Sequence, residues 1–426
     1  MRIRFIYPAW QRLEPQTHYV LPPLGVAMAA ELTPSCHEVS IEDDNIAPVD
    51  AAASADLVGI SLMLAAQAPR AFAIADAYRR RGVPVVIGGL SARPLADACA
   101  GHADAVVLGE AEGVWPALVR DASQGRLRPL YRREGHVPPR EFAVPRRDLL
   151  DAARYAYRGL PMMELLETSR GCRFACPQCQ VPALSGTRLR ARPLRATVEE
   201  ATAIAGERVF IVDNSPEQDE AYEKRLFRAL AGLGKRWVSH SISDTPEILR
   251  LAERAGWWFV LQTVTAPSPR VRERIRRYHD HGIAVGAFVT FGLDEHGPDS
   301  FGRIVDFLKA ARVDTAEFNI LTPYPGTPLF GRLKREGRLL HEDWGLYNSG
   351  NVVFRPKRMS QARLARGVNW AWQEYYREQS QAERMFRIYR KIARLKDFKP
   401  EAGPSRRVIP YQSAGTDALW GRAVRP

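Results

Sequence analysis

From Arg4 to Leu321 the chain alternates short, almost wholly apolar runs with longer stretches of helical period. Strands covered on both faces read as continuous apolar runs, and helical crossovers make them parallel. The pattern therefore confines the fold to the α/β class and leaves open sheet or barrel to be decided. It occurs twice. In residues 1–125 strands are predicted at Arg4–Tyr7, Val39–Glu42, Leu57–Ser61, Val83–Gly88 and Ala105–Leu108. Helices fall at Gly25–Leu32, Pro69–Arg81, Pro94–Ala100 and Gly113–Ser123. This is the order of a doubly wound, Rossmann-like domain, whose ligands lie at the carboxyl ends of the strands. The expected contacts are Ser61, Leu62, Met63, Gly88, Gly89 and Glu110. No G-x-G-x-x-G follows the first strand, which disfavours a dinucleotide.

Residues 126–160 are rich in proline and arginine without a period, and read as a linker. The second series follows. Its strands are Met163–Thr168, Val209–Asp213, Trp237–Ser241, Phe259–Thr263, Ala284–Phe291 and Thr315–Leu321. Six βα units predict a partial parallel (β/α)6 barrel over 161–325, with its chemistry at the carboxyl ends of the strands. A helical extension is expected over 326–400 and a loosely held tail over 401–426.

The loop after the first barrel strand carries Cys172, Cys176 and Cys179 as C-x3-C-x2-C, with Gly171 allowing a tight turn before the first thiol. Thiolates this close in sequence repel one another unless a cation holds them. Five cysteines in 426 residues do not make a disulfide scaffold. Structural zinc wants a fourth ligand, and no cysteine or histidine follows before His240. Three cysteines suit a [4Fe–4S] cluster with one iron left open.

This motif, directly after the run E-T-S-R-G, resembles that of the radical S-adenosylmethionine (radical SAM) superfamily. The resemblance implies that the open iron chelates SAM, whose reductive cleavage yields a 5′-deoxyadenosyl radical. Many relatives place an aromatic residue before the third cysteine, where this chain has Gln178. Asp213 and Asn214 are expected to accept from the SAM amino group, and Gln262 with Thr263 to meet the ribose; relatives often have glutamate at the position of Gln262.

The segments PPLG (Pro22–Gly25), ADLVGISLM (Ala55–Met63), VPVVIGGL (Val83–Leu90) and ADAVVLGEAEGVWP (Ala103–Pro116) resemble the cobalamin-binding domain of one branch of that superfamily. Gly88 and Gly89 are expected to let backbone approach the corrin. The D-x-H-x-x-G motif that supplies an axial histidine is replaced by DDNIAP (Asp43–Pro48), so Leu62 or Met63 is expected to cover the lower cobalt face. TPYPGTPL, after the last barrel strand, resembles the same branch.

The resemblance implies a cobalamin-dependent methyltransferase acting on an unactivated carbon of a small molecule. Its electrons would come from a flavodoxin or ferredoxin. Alternatives are a radical cyclase, ring-contraction or rearrangement enzyme, and an RNA-modifying methylthiotransferase, for which only Cys36 and Cys99 remain. The formal charge of +13 admits an anionic substrate, RNA or a membrane surface and does not choose among them. No apolar run approaches the ~20 residues of a membrane span. A cytoplasmic monomer without DNA binding is expected, with peripheral membrane contact through the basic amphipathic stretch Ala382–Lys399 left open.

Overall fold

The computed structural model describes residues 1–11, 20–157, 160–161, 163–381, 383–385 and 387–388. Its first sheet comprises β1 (Arg2–Tyr7), β2 (Glu38–Asp43), β3 (Leu57–Ser61), β4 (Val85–Gly88), β5 (Ala105–Leu108) and β6 (Leu130–Arg132). The order is β2-β1-β3-β4-β5-β6, with every pairing parallel. Side chains alternate between two cores. Ile6, Ile60 and Ile87 pack under the helix Ala68–Arg80, whereas Ile3, Phe5 and Val107 meet Trp115 and Leu118 of the helix Trp115–Ser123. β6 arises inside the stretch expected to be a linker. Three residues, of which only Tyr131 is buried, are too few to show a period.

The chain leaves β1 for β2 on one side and for β3 on the other. Such a reversal opens a crevice at the carboxyl ends of the two central strands. Here those are β1 and β3, so the loops after Tyr7 and Ser61 flank the crevice.

The second sheet runs in sequence order through β7 (Glu164–Leu166), β8 (Arg208–Ile211), β9 (Arg236–His240), β10 (Trp257–Val264), β11 (Ala284–Phe291) and β12 (Thr315–Ile320), all parallel. Val209, Ile211, Trp237, Val260, Val285 and Phe318 point to one face and join the helices in the largest core. With the helices gathered on that face, the sheet curls around the other and forms an open barrel with a lumen. Strand register stacks the lumen side chains in tiers. The floor is Leu165, Phe210, Val238, Phe259 and Ala284. Above it stand His240, Leu261, Gly286 and Thr315, then Thr263, Phe288 and Glu317, and finally Thr290 and Asn319. Met385 and Ile388 pack against the floor.

The extension after the barrel braces both units. Tyr347 and Val353 belong to the core of the first sheet, while Phe354, Leu364 and Val368 belong to that of the barrel. Tyr347, Trp372 and Tyr375 fill these cores, Trp344 packs against the first of them, and Trp370 faces solvent. Except for residues 383–385 and 387–388, the basic stretch Ala382–Lys399 lies outside the described residues, as does the tail 401–426.

Candidate active site at the barrel mouth

The cysteine loop starts at a turn that only glycine allows. Gly171 has φ +92°, and a Cβ there would stand 2.1 Å from the Arg188 carbonyl oxygen. The loop is then tied down residue by residue. Cys172 N–H donates to the Gly186 carbonyl at 3.1 Å, and Arg173 N–H to Gln218 Oε1 at 3.0 Å. Gln218 Nε2 returns a bond to the Gly171 carbonyl at 3.0 Å. From the opposite side, Leu329 N–H donates to the Pro177 carbonyl at 2.9 Å, and Gln180 Nε2 to the Pro325 carbonyl at 2.8 Å. The turn-dense TPYPGTPL segment thus acts mechanically, as a clamp on the loop.

The three thiols occupy one neighbourhood. Burial pushes the Cys179 thiol up, and the charges of Cys172 and Cys176 push it further. A Val181 N–H aimed at Cys179 Sγ from 3.4 Å is a donor suited to a ligating thiolate. Cys176 is exposed and the other two are half-buried. Among the described residues no three His, Cys, Asp or Glu converge tightly enough to share a single ion. Three free thiols on one short loop are the donor set that a four-iron cluster with one open iron takes.

Asp213 is 1% exposed and faces the strand, not the mouth. Its Oδ1 accepts from the backbone N–H groups of Thr168 at 2.7 Å and Ser169 at 3.0 Å. Its Oδ2 accepts from both hydroxyls, each at 2.5 Å. Four donors saturate a carboxylate, so no lone pair remains for the SAM amino group expected there. Burial raises this pKa while the four donors pull the other way. Asp213 is a positioning residue that fixes the two residues leading into the cysteine loop. Asn214, next in the chain, is half-buried. Gln262 is buried: its Oε1 accepts from Ser241 Oγ at 3.1 Å, and its Nε2 donates to the Thr263 carbonyl at 2.9 Å. Thr263 is the exposed member of that pair and points into the lumen. Gln178 is half-buried beside Cys179.

A network unread in the sequence joins the two units. Arg170, just before the loop, bonds Glu167 at 2.8 Å, Glu112 at 2.7 Å and Glu110 at 3.3 Å. Arg190 takes Glu110 at 2.5 Å, and the Phe142 ring lies 4.0 Å from the Arg170 guanidinium. Glu110 also accepts from Val137 N–H at 2.7 Å. Burial opposes the Glu110 charge, but Arg190 and Arg170 hold its carboxyl below the usual range. Glu110, expected to contact a ligand, is instead a tie between the domains.

Further contact between the units comes from the loop after β4. Ser91 Oγ meets Gln180 Oε1 at 3.5 Å, and Arg93 donates to the Ala183 carbonyl at 2.9 Å. The carboxyl edge of the first sheet therefore abuts the cysteine loop. On that edge Leu62 is fully buried, whereas Met63 is 45% exposed. Met63, not Leu62, can cover one face of a flat ligand. Gly89 (φ +110°) has its missing Cβ directed at the Leu62 carbonyl, 2.8 Å away, so it makes room for the chain itself. At Gly88 a Cβ would stand 3.3 Å from Val107 Cβ, again a packing demand. Ser61 is half-buried at the strand end. Gln67, overlooked in the sequence, organises the edge: its Oε1 accepts from Met63 and Leu64 N–H, both at 2.9 Å, and its Nε2 donates to the Pro8 carbonyl at 2.7 Å. The DDNIAP turn has no histidine to offer, and its two carboxylates are engaged within the chain, Asp43 by Asn45 and Asp44 by Arg70. An edge with an open thioether and, among the described residues of its loops, no imidazole fits a corrin whose cobalt takes no protein nitrogen.

Strand register puts His240 and Glu317, both half-buried, on the lumen side of the barrel. Burial lowers His240 to about 4, leaving it neutral, with the Phe210 ring 5.9 Å away. His279 and His281 are instead paired on the outside with Asp314 and Glu253, each at 2.9 Å.

Residues 16–119 match the B12 binding domain family, residues 166–288 the radical SAM superfamily, and residues 327–414 a domain of unknown function. The chain is 26% identical over 389 residues to a bacteriochlorophyllide d C-12(1)-methyltransferase of Chlorobaculum tepidum, covering 85% of this chain and 84% of that protein. It is 25% identical over 363 residues to the hopanoid C-2 methylase of Rhodopseudomonas palustris, covering 76% and 66%. Among solved structures, the radical SAM methyltransferase TsrM of Kitasatospora setae superposes with a TM-score of 0.61 at 20% identity, covering 79% of this chain and 76% of that one. That last likeness is one of fold.

Proposed function

The chain belongs to the cobalamin-binding-domain branch of the radical SAM superfamily, and from that premise we propose that it is a C-methyltransferase acting on an unactivated carbon of a small molecule. Its cofactors are a [4Fe–4S] cluster, SAM and cobalamin. Together these supply a carbon-centred radical and a methyl group to meet it, while the protein supplies binding, orientation and exclusion of water.

The observation that carries the proposal is the direct seating of the first sheet's carboxyl edge on the cysteine loop. Ser91 and Arg93 touch Gln180 and the helix Val181–Ser185 that ends the loop, and Arg170 gathers Glu110 and Glu112 from the first domain. Cys172, Cys176 and Cys179 would hold the cluster and Asn214 would meet SAM. Met63 would lie against the corrin. The lumen below would receive the substrate, and its floor of Leu165, Phe210, Val238 and Phe259 would keep water away. Electrons would come from an external flavodoxin or ferredoxin, since the cysteine loop reaches the surface at Cys176. Among the described residues no helix is long and apolar enough to cross a membrane.

The test is anaerobic. After incubation with hydroxocobalamin and desalting, the protein should keep corrin absorbance. After reconstitution it should hold about four irons and release 5′-deoxyadenosine from SAM only with reductant, and Cys176→Ala should lose both properties. A protein that binds the cluster and cleaves SAM but retains no corrin would exclude cobalamin-dependent methyl transfer.

A further inference from the structure

We infer that Glu317 is the substrate-recognition group of the barrel, and that the substrate is a predominantly apolar molecule presenting one hydrogen-bond donor, an amine or a hydroxyl, to that carboxyl. The inference rests on reading the lumen as the substrate chamber. Glu317 shares its tier with Thr263 and Phe288, one level above His240 and two above an apolar floor. A carboxyl so enclosed ordinarily has a cationic partner. Among the described residues no ion pair reaches Glu317, and the side-chain hydrogen bond at this carboxyl comes from Asn319.

Among the described residues the other polar groups near Glu317 are committed or uncharged. Glu167 belongs to Arg170 at 2.8 Å. Tyr324 hydroxyl is bonded to Ser349 Oγ at 2.8 Å. His240 is kept neutral by burial. A carboxylate has about four acceptor sites, and with Asn319 as its one side-chain donor Glu317 can take another; burial, which pushes it up to about 7, makes such a donor more valuable. Gly286, on the neighbouring strand, is a packing demand, because the Phe259 ring and Thr315 Oγ1 stand 2.7 and 3.1 Å from where its Cβ would be, and the room for a ligand is sought in the tiers above it. The rest of the chamber offers aromatic and aliphatic surface: Leu261 and Phe288 at its sides and Phe210 in its floor, with Met385 and Ile388 underneath. A ligand complementary to this chamber is greasy and carries one polar hydrogen.

Three matched probes test it by saturation-transfer NMR on the full chain, reconstituted with cluster, cobalamin and SAM and without reductant: 2-phenylethylamine, 2-phenylethanol and ethylbenzene. The amine and the alcohol should bind at least about fivefold more tightly than ethylbenzene, the increment of one buried hydrogen bond. Glu317→Gln should weaken the amine about tenfold, because the charge-assisted part is lost, and leave the alcohol within about twofold. Glu317→Leu should erase both preferences, and Thr263→Phe, which obstructs the lumen, should abolish binding of all three. The glutamine variant decides the matter if the leucine variant fails to fold by circular dichroism. Equal binding of the three probes, no binding by any, unchanged preferences in Glu317→Gln, binding that survives Thr263→Phe, or a loss confined to SAM affinity would each overturn the assignment. Normal iron content and SAM cleavage alongside such a result would leave the enzymatic reading standing.

Discussion

Asp213 separates two accounts of the mouth. If it were a ligand of SAM, replacing it would weaken SAM binding and leave the cluster alone. In the structure its oxygens accept from two backbone N–H groups and two hydroxyls at 2.5–3.0 Å, all from Thr168 and Ser169. Asp213→Ala orphans the two N–H groups, each at about 1–3 kcal/mol, while the hydroxyls rotate toward other acceptors. Relief of the buried charge offsets part of this, so a net loss of about 3–5 kcal/mol is expected. Asp213→Asn can keep its oxygen on the backbone pair and should lose only about 1–2 kcal/mol. The measurements are iron per chain after anaerobic reconstitution, the melting temperature and the SAM dissociation constant. In the alanine variant melting should fall by roughly 5–15 °C. Iron content should fall with it, and SAM affinity only in proportion to the cluster lost; the asparagine variant should lie between. Full iron, unchanged melting and a selective loss of SAM binding would refute the positioning role.

Three further outcomes are expected. Arg170→Gln leaves Glu110, Glu112 and Glu167 without their shared guanidinium in a site where the Arg170 side chain is 9% exposed; it should lose about 3–5 kcal/mol, read as an earlier melt and faster proteolysis between the domains. Gly171→Ala forces a Cβ into the Arg188 carbonyl at φ +92°, so iron content should drop while the first domain keeps its fold by hydrogen exchange. Glu223 is fully buried, bonded through one oxygen to Ser243 N–H at 3.0 Å, and burial pushes it up to about 7. Its folded pKa lies above the unfolded value of 4.5, so the stability it contributes is complete below that value and is lost as pH rises through about 7. Against Glu223→Gln, wild-type protein should therefore lose up to about 3 kcal/mol between pH 4.5 and 8 in chemical denaturation, and parallel curves would contradict the assignment.

The sequence by itself determined the class of fold, the two series of strands and the cysteine loop. Each rests on local signals: apolar runs of strand length, helical period between them, and three thiols seven positions apart from first to last with a glycine before them. The strand-order reversal at β1 and the use of each polar residue were decided by tertiary structure. Asp213 and Glu110 read as ligands because each lies at or just past the carboxyl end of a strand of the right series, but their lone pairs were claimed by Thr168 and Ser169 in one case and by Arg170 and Arg190 in the other. Gly88 and Gly89 read as clearance for a cofactor, and the clearance serves Val107 and Leu62. Glu317 was invisible as a functional group because a glutamate in a strand resembles any exposed one until register places it inside the barrel. A residue's type is written in the chain, but a carboxylate's partner is set by whatever distant donors folding brings within about 3 Å.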